Sequence, residues 1–290
     1  MSQWLFKLKL LGEGTAQCLL NGLRMLLKTR PVRLPRWENP APLVILGNGP
    51  SLNEFIAAHP DFLENKTLLA VNQMVNTPVF ERLKPALYVV SAPEYWLPDV
   101  EEDYQQIRRK LFDDMAVKVT WPMHFYIPRE AKGRGEWHAR LRTNPHVHIH
   151  YYNNTPVEGL RPCREFLFDL KAGMPRPHNV LIPSLMTAVW SGFKEIYLAG
   201  ADHSWLNEIH VTDDNVVLLT QKHFYDRDKA RPAVMKKLGR GQRKLHEILE
   251  KFYYSFKAYH IIRQWAERKG VRIYNITPGS FIDAFPRKKV

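Results

Sequence analysis

Short apolar runs alternate with longer amphipathic stretches along most of the chain. The short runs are rich in β-branched residues and are bounded by glycine, proline or polar residues, which is typical of strands. The predicted strands are 43–47, 67–71, 87–91, 117–121, 147–151, 195–200 and 271–275. The stretches with helical spacing are 51–58, 77–84, 100–113, 164–172, 183–192 and 242–269. Strands and helices that alternate through short loops predict an α/β fold with a mainly parallel sheet flanked by helices.

The first 36 residues follow a different pattern. Their apolar positions, close to helical spacing, are Trp4, Leu5, Leu8, Leu11, Leu19, Leu20, Leu23, Leu26 and Leu27. Their basic residues are Lys7, Lys9, Arg24, Lys28, Arg30, Arg33 and Arg36, against Glu13 as the single acidic residue. A spanning helix needs about 20 consecutive apolar residues, which the polar interruptions prevent. A basic amphipathic helix of this kind predicts attachment to an anionic membrane surface, with packing against the protein's own core as the alternative.

The remaining chain divides at two changes of pattern. Prolines between positions 31 and 42 predict a linker that leads into a nucleotide-binding core over 37–200. Residues 201–241 are polar and irregular, with a predicted hairpin turn at Asp213-Asp214-Asn215. Long insertions of this kind are often functional lids, so we expect a lid over the carboxyl ends of the strands, where open α/β sheets bind ligands. Residues 242–290 complete the core with a helix and the last strand.

Composition and charge narrow the class of protein. The chain has 290 residues, 45% of them hydrophobic, and a formal net charge of +13, which favours an anionic partner. The basic residues form no known nucleic-acid-binding module, so we expect no nucleic acid partner. The two cysteines, Cys18 and Cys163, form no disulfide framework and no zinc motif, which favours a reducing cytoplasmic setting. His146, His148 and His150 alternate along a predicted strand and could share a metal, although the lack of a nearby carboxylate or cysteine cluster favours surface or edge-strand histidines.

The first predicted strand leads into a glycine-containing turn, Gly47-Asn48-Gly49-Pro50-Ser51, and then a helix. This order can present backbone N–H groups to a phosphate. Leu52 occupies the position of the third glycine of a dinucleotide fingerprint, and no P-loop lysine follows, so neither motif is present. An ordinary turn is the alternative, with Ser51 as the helix N-cap and Glu54 completing a capping box.

Four blocks occur in an order that resembles one enzyme group: "ILGNGPSL", "AVNQM" at 70–74, "SGFKEIYLAGAD" at 191–202 and "IYNITPGSF" at 273–281. The group is the bacterial sialyltransferases that use CMP-sialic acid to build lipooligosaccharide caps. The later blocks also resemble the wider Rossmann-like family named after the pterin pyrophosphokinase MptE, which includes proteins of surface-polysaccharide gene clusters. The resemblance implies a Rossmann-like fold and metal-independent transfer of a sugar from a nucleotide donor, which is a substrate rather than a cofactor, to a surface glycan or glycolipid.

The resemblance also implies roles for individual residues. Asn48, in the loop with Gly47, Gly49 and Ser51, would contact the ribose or phosphate of the nucleotide. Asn72 would reach the donor sugar or phosphate, and Asp202 would face the nucleotide. The remaining expected contacts, near the base pocket, are Pro278, Gly279 and Ser280.

The catalytic base is not carried over, because Tyr253 stands where the sialyltransferases have a histidine. His203, Ser204 and Trp205 stand where those enzymes have lid tyrosines. A general base should have a pKa near 7, so we expect it to be His203 or His223, with Asp202 or Asp226 as the next candidates.

Two further features leave the reaction and the assembly open. The predicted basic cluster Lys236, Lys237, Arg240, Arg243 and Lys244 would hold a diphosphate or an anionic acceptor, unless it is simply solvated. The alternatives to glycosyl transfer are ATP-dependent diphosphoryl transfer and a non-catalytic role in glycan assembly. A homo-oligomer also stays open. The expected location is the cytoplasmic face of the inner membrane.

Overall fold

The computed structural model describes residues 3–225, 230–237 and 241–290. Asp226 and Arg240, which the sequence analysis singled out, lie outside these ranges. The strands are β1 (Leu43–Leu46), β2 (Thr67–Val71), β3 (Leu87–Val89), β4 (Met123–Pro128), β5 (Val147–Tyr152), β6 (Glu195–Ala199), β7 (Ile209–Val211), β8 (Val217–Leu219), β9 (Ala233–Val234) and β10 (Arg272–Asn275). The α-helices are α1 (Gln3–Lys28), α2 (Leu52–Ala58), α3 (Pro60–Glu64), α4 (Pro78–Leu83), α5 (Glu102–Lys118), α6 (Trp137–Leu141), α7 (Arg161–Asp169), α8 (Leu181–Trp190) and α9 (Leu245–Arg268).

Seven strands form one parallel sheet in the order β10-β6-β1-β2-β3-β4-β5. The chain moves outward from β1 to β5 and then crosses back to place β6 on the other side of β1. The order therefore reverses between β1 and β6, which is the switch point where open α/β sheets bind ligands. The predicted α/β fold with a mainly parallel sheet is confirmed, and it is consistent with a Rossmann-like fold.

The sheet is covered on both faces, which explains why its strands are continuously apolar. Leu43 and Ile45 of β1 belong to the core on the side of α8 and α9. Val44 and Leu46 alternate with them and pack on the opposite side, with α2 and α5. A strand with two buried faces cannot show polar alternation, so the pattern of short apolar runs is the expected signature.

The predicted strand at 117–121 is wrong. Helix α5 continues to Lys118, and the strand at this point in the sheet is β4, which begins at Met123. The helical spacing of Leu111, Met115 and Val119 continues through the region and places all three in the core. Val117 lies between them and is 79% exposed, which fits a helix surface and not a buried strand.

Helix α1 packs on the domain along one side and exposes leucines along the other. The amide of Asn21 donates to the Glu158 carbonyl at 2.6 Å, and the Thr29 hydroxyl donates to the Ala172 carbonyl at 2.8 Å. The exposed apolar side chains include Leu19, Leu23 and Leu27. Packing against the protein's own core is therefore observed along one side of this region, and attachment to a membrane through the exposed side stays a prediction. In the described ranges we find no helix with the length and hydropathy needed to span a bilayer.

The region 201–241 contains a small antiparallel sheet in the order β7-β8-β9. The predicted turn at Asp213-Asp214-Asn215 joins β7 to β8, and the Thr212 N–H donates to the Val216 carbonyl at 2.9 Å. Val217 and Leu219 of β8 pack against Ile248 and Phe252 of α9. This small sheet therefore rests on α9 and not on the main sheet.

Candidate functional site

A cleft of about 1350 Å³ opens at the carboxyl ends of the central strands. Its wall includes Asn48 after β1, Asn72 after β2 and Asp202 after β6, so it lies at the switch point of the sheet. The small sheet and α9 form the opposite wall, through residues that include Trp205, His223 and Lys251. The fold thus brings together residues that are far apart in the chain at the place where such folds bind small ligands.

The glycine turn after β1 does not present the free backbone donors that the sequence suggested. Gly47 N–H donates to the Ala199 carbonyl and Gly49 N–H donates to the Gly200 carbonyl, each at 2.8 Å. A Cβ on Gly49 would overlap the Asp202 carboxylate, so glycine is needed here because two loops approach closely. The turn therefore allows two loops to pack closely together, and most of its N–H groups already have hydrogen-bond acceptors within the protein.

Ser51 and Asp202 tie this turn to the end of β6. The Ser51 hydroxyl donates to Asp202 Oδ2 at 2.9 Å, and the Ser51 N–H also donates to this carboxylate. Ser51 is the N-cap residue of α2, as the alternative interpretation had it, but its side chain makes no capping hydrogen bond and the expected capping box with Glu54 does not form. Burial raises the pKa of Asp202, although the bonds from Ser51 oppose that shift. Asp202 lines the cleft as predicted, and it also holds the two loops together.

Asn48 and Asn72, which follow β1 and β2, each have an amide oxygen without a hydrogen-bond partner. Asn48 Nδ2 donates to the Val71 carbonyl at 3.1 Å, which fixes the amide so that Oδ1 is the free acceptor. Oδ1 of Asn48 and Oδ1 of Asn72 are buried and have no hydrogen-bond partner. Asn72 also has a positive φ of 49°, so its backbone is held in the left-handed region. Buried acceptors without a partner are uncommon and match a ligand that brings hydroxyl or amino groups.

The loop with Pro278, Gly279 and Ser280 does not line the cleft as the resemblance implied. The Ser280 hydroxyl donates to the Ala201 carbonyl at 2.6 Å, and the Phe281 N–H donates to the Asp202 carbonyl at 2.8 Å. The loop therefore supports the end of β6 from outside the cleft. Its effect on a ligand would be indirect, through the position of Asp202.

His203 is buried in a hydrogen-bonded network. Its Nε2 lies 2.7 Å from the Tyr259 hydroxyl, which donates to Asn179 Oδ1 at 3.0 Å. Because that hydroxyl has one hydrogen, Nε2 of His203 carries a proton and Nδ1 keeps the lone pair. Burial lowers the pKa of His203 to about 3, far from the value near 7 expected of a base.

His223 lines the cleft in a more open position, stacked on Tyr225 with ring centroids 5.0 Å apart. Tyr253, which replaces the histidine of the sialyltransferases, is 57% exposed and lies outside the cleft. Of these positions, the structure brings His203 and His223 into one site and leaves Tyr253 out of it.

Glu94, a half-buried acid in the cleft, was not among the residues predicted from the sequence. It belongs to a 3-10 turn, Pro93–Tyr95, just beyond the end of β3. Burial raises the pKa of its carboxyl, and the charge of Lys251 partly offsets that effect. A carboxyl with a raised pKa in a cleft is a candidate acid or base. Its position after a predicted strand end is the signal that could have identified it.

A group of cationic and aromatic side chains that also lines the cleft was not predicted from the sequence. Arg176 forms two 2.9 Å bonds to Glu158 and lies 4.3 Å from the ring centroid of Tyr254. His178 also stacks on Tyr254, with ring centroids 5.6 Å apart. Lys251 lies one helical turn before Tyr254 on α9. These residues come from a loop and a helix that are remote in sequence, so no local motif indicates them.

The predicted histidine trio forms a different cluster. His148 and His150 of β5 share a face of the sheet with His124 of β4, and His124 Nδ1 lies 2.9 Å from His150 Nε2. His146 precedes the strand. In residues 3–225, 230–237 and 241–290 no group of three or more His, Cys, Asp or Glu side chains is arranged to hold a metal ion.

Comparisons with known proteins show a likeness to a solved structure but no match in sequence. No protein-family model matches the chain, and no curated protein sequence matches it. The structure is similar to that of the MAf glycosyltransferase from Magnetospirillum magneticum AMB-1, with a TM-score of 0.50 and 9% identity. The match covers 95% of this chain but only 38% of that protein. At this identity the likeness shows a shared fold, so membership of the sialyltransferase family stays a prediction.

Proposed function

We propose that the protein is a glycosyltransferase that binds a nucleotide-sugar donor in the cleft at the switch point. The observation that carries this proposal is a convergence of unsatisfied polar atoms. Four buried side-chain atoms without a partner belong to cleft residues: Asn48 Oδ1, Asn72 Oδ1, His178 Nε2 and Asn179 Nδ2. Ribose and sugar hydroxyls, or the amino group of a base, can satisfy the two amide oxygens. The shared fold with a glycosyltransferase agrees with this function.

The donor in this proposal carries CMP, and the acceptor is a glycan or glycolipid of the bacterial cell surface. Amide groups and cationic side chains can stabilise a departing phosphate without a metal, so we propose a metal-independent reaction. The exposed leucines and basic residues of α1 support attachment to the anionic inner surface of the membrane. This location would place the cleft close to a lipid-linked acceptor.

Three groups can take the proton from the acceptor hydroxyl in this scheme. They are the predicted His203 and His223, and the half-buried Glu94. Substituting the true base by glutamine should lower turnover about a hundred- to ten-thousandfold. Donor affinity should change little, because a base acts mainly in the transition state. The two other substitutions should then have small effects on turnover.

Thermal-shift measurements with CMP, UDP, GDP, ADP and ATP test the proposal. A ligand that binds only the folded protein stabilises it by about 2.7 kcal/mol at a hundred times its Kd. We expect CMP to raise the melting temperature, and Asn48→Ala to weaken CMP binding about ten- to a hundredfold. Asn207→Ala is the control, because Asn207 is exposed and outside the cleft.

The same screen contains the results that oppose the proposal. Stabilisation by ATP alone, and only with Mg²⁺, would favour diphosphoryl transfer instead. A chain that none of the five nucleotides stabilises would not be a nucleotide-sugar enzyme.

A further inference from the structure

Two cations that line the cleft have no acidic partner among the residues that the structure describes. They are Lys251 of α9 and Arg243, just before α9. No carboxylate of the described residues lies within ion-pair distance of either side chain. By contrast, the neighbouring Lys237 and Arg176 are paired, with Glu247 and Glu158 respectively. Within residues 3–225, 230–237 and 241–290, these two cations of the cleft wall are therefore unpaired.

The environment of Lys251 is unfavourable for a charge. Most of the side chain is buried, and burial together with the positive charge of Arg243 lowers its pKa. Glu94 acts in the opposite direction, but it is too far away to form an ion pair. A buried charge without a partner costs free energy, and such groups persist where a ligand completes the pairing.

His178 adds a hydrogen-bonding group to the same place. Its Nε2 atom is buried and has no partner. Burial and the nearby charges of Lys251, Arg176 and Arg243 lower its pKa to about 4, so the ring is neutral at pH 7. A neutral imidazole can donate one hydrogen bond from Nε2 while it stays stacked on Tyr254.

An anion is the ligand that satisfies all three groups at once. Two cations and one N–H donor match a phosphate, whose oxygens accept several charge-assisted bonds. The glycine turn after β1 cannot supply this contact, because its Gly47 and Gly49 N–H groups are bonded to the end of β6. Side chains of the opposite wall are available to hold the phosphate instead.

We propose that Lys251 and Arg243, together with His178, bind the phosphate group of the ligand, while Asn48 and Asn72 bind its sugar or base. This assignment rests on the proposed function, and it divides the cleft into an anion-binding wall and a hydroxyl-binding wall. The phosphate would then lie between α9 and the ends of β1 and β2. Nothing in the local sequence around Lys251 indicates this role.

Calorimetric titration with CMP and with cytidine separates the two walls. Lys251→Met removes the charge and keeps the length of the side chain. We expect it to weaken CMP binding about ten- to a hundredfold and to change cytidine binding less than twofold. Arg243→Gln should act in the same direction. Lys257→Met is the matched control, because Lys257 is on the same helix but is exposed and outside the cleft.

The outcomes distinguish this inference from the proposed function. Equal loss of CMP and cytidine, or no loss of either, would overturn the phosphate assignment while nucleotide binding stands. If the wild-type protein binds pyrophosphate but neither CMP nor cytidine, and Lys251→Met abolishes that binding, the anion site is supported and the proposed function fails. If none of these probes binds the wild-type protein, both fail. A melting temperature at or above that of the wild type would show that Lys251→Met is folded, since it removes an unpaired buried charge.

Discussion

Buried His203 should make the protein sensitive to acid in a way that one substitution can reveal. The imidazole has a pKa of about 3 in the folded protein, against an ordinary value of 6.5. Its surroundings are aromatic, with Trp205 at 4.0 Å, Phe256 at 6.4 Å and Tyr259 at 5.6 Å between ring centroids. Burial without a nearby compensating charge therefore explains the shift.

The sign of the effect follows from proton binding. Between pH 6.5 and about 3 the unfolded chain binds a proton at this residue and the folded protein does not. The free energy of unfolding therefore falls as the pH is lowered through this window. Each pH unit corresponds to about 1.4 kcal/mol, so the contribution of His203 falls by about 2 kcal/mol between pH 7.5 and pH 5.

Urea unfolding of His203→Gln at these two pH values measures this contribution. Glutamine can still form a hydrogen bond to the Tyr259 hydroxyl but does not titrate. Between pH 7.5 and pH 5 we therefore expect the free energy of unfolding to fall by about 2 kcal/mol less in the variant than in the wild type. The comparison uses the change with pH, so a constant effect of the substitution on stability cancels. His150 and His178, whose pKa values burial also lowers to about 4, titrate equally in both proteins.

His210→Gln is the control, because His210 lies exposed on β7. It should lose stability with acid as the wild type does. If His203→Gln loses as much stability as the wild type, His203 is not held in the neutral form by the fold. Its low basicity would then be no argument against a role as the catalytic base.

Two further predictions concern the close packing of the glycine turn and the exposed face of α1. Gly49→Ala should lower the free energy of unfolding by about 1–3 kcal/mol in the same assay, because its Cβ overlaps the Asp202 carboxylate. Gly22→Ala in α1 has free space and should be neutral or stabilising by up to about 1 kcal/mol, so equal effects would contradict the packing argument. Leu23→Glu with Leu27→Glu should abolish sedimentation with anionic liposomes, since each buried leucine contributes about 1.5–3 kcal/mol. Leu206→Glu, at an exposed leucine outside α1, should not, and unchanged binding of the double variant would exclude this face.

The order of strands and helices could be predicted because the sheet is buried on both faces. Six of the seven strands of the main sheet coincide with predicted strands, and β4 (Met123–Pro128) does not. The predicted strand at 117–121 was wrong because, over so short a window, Val119 and its neighbours fit both the two-residue period of a strand and the 3.6-residue period of a helix. Helix α5 continues into this window because Leu111, Met115 and Val119, spaced four residues apart, are all buried in the core.

The site could be predicted only where it depends on strand ends. Asn48, Asn72 and Asp202 follow buried strands directly, so their place in the cleft follows from the fold. The role of the glycine turn could not be predicted, because its glycine N–H groups form hydrogen bonds to carbonyls at the end of β6, a strand about 150 residues later in the chain. Lys251 and His178 meet only through the packing of α9 beside α8, which no local pattern encodes.

Helix α9 connects the parts of the site that the main sheet does not supply. Lys251 and Tyr254 lie one turn apart and face the cleft, while Tyr259 bonds to His203 below it. Ile248 and Phe252 lie on an adjacent stripe and pack against β8 of the small sheet. Helix α9 thus determines the position of Lys251, the position of the Tyr259 hydroxyl that bonds to His203, and the surface against which the small sheet packs. Because the glycine turn is fixed to β6, the width of the cleft is determined mainly by where α9 lies. An anion bound by Lys251 would therefore act on the same element that carries the small sheet.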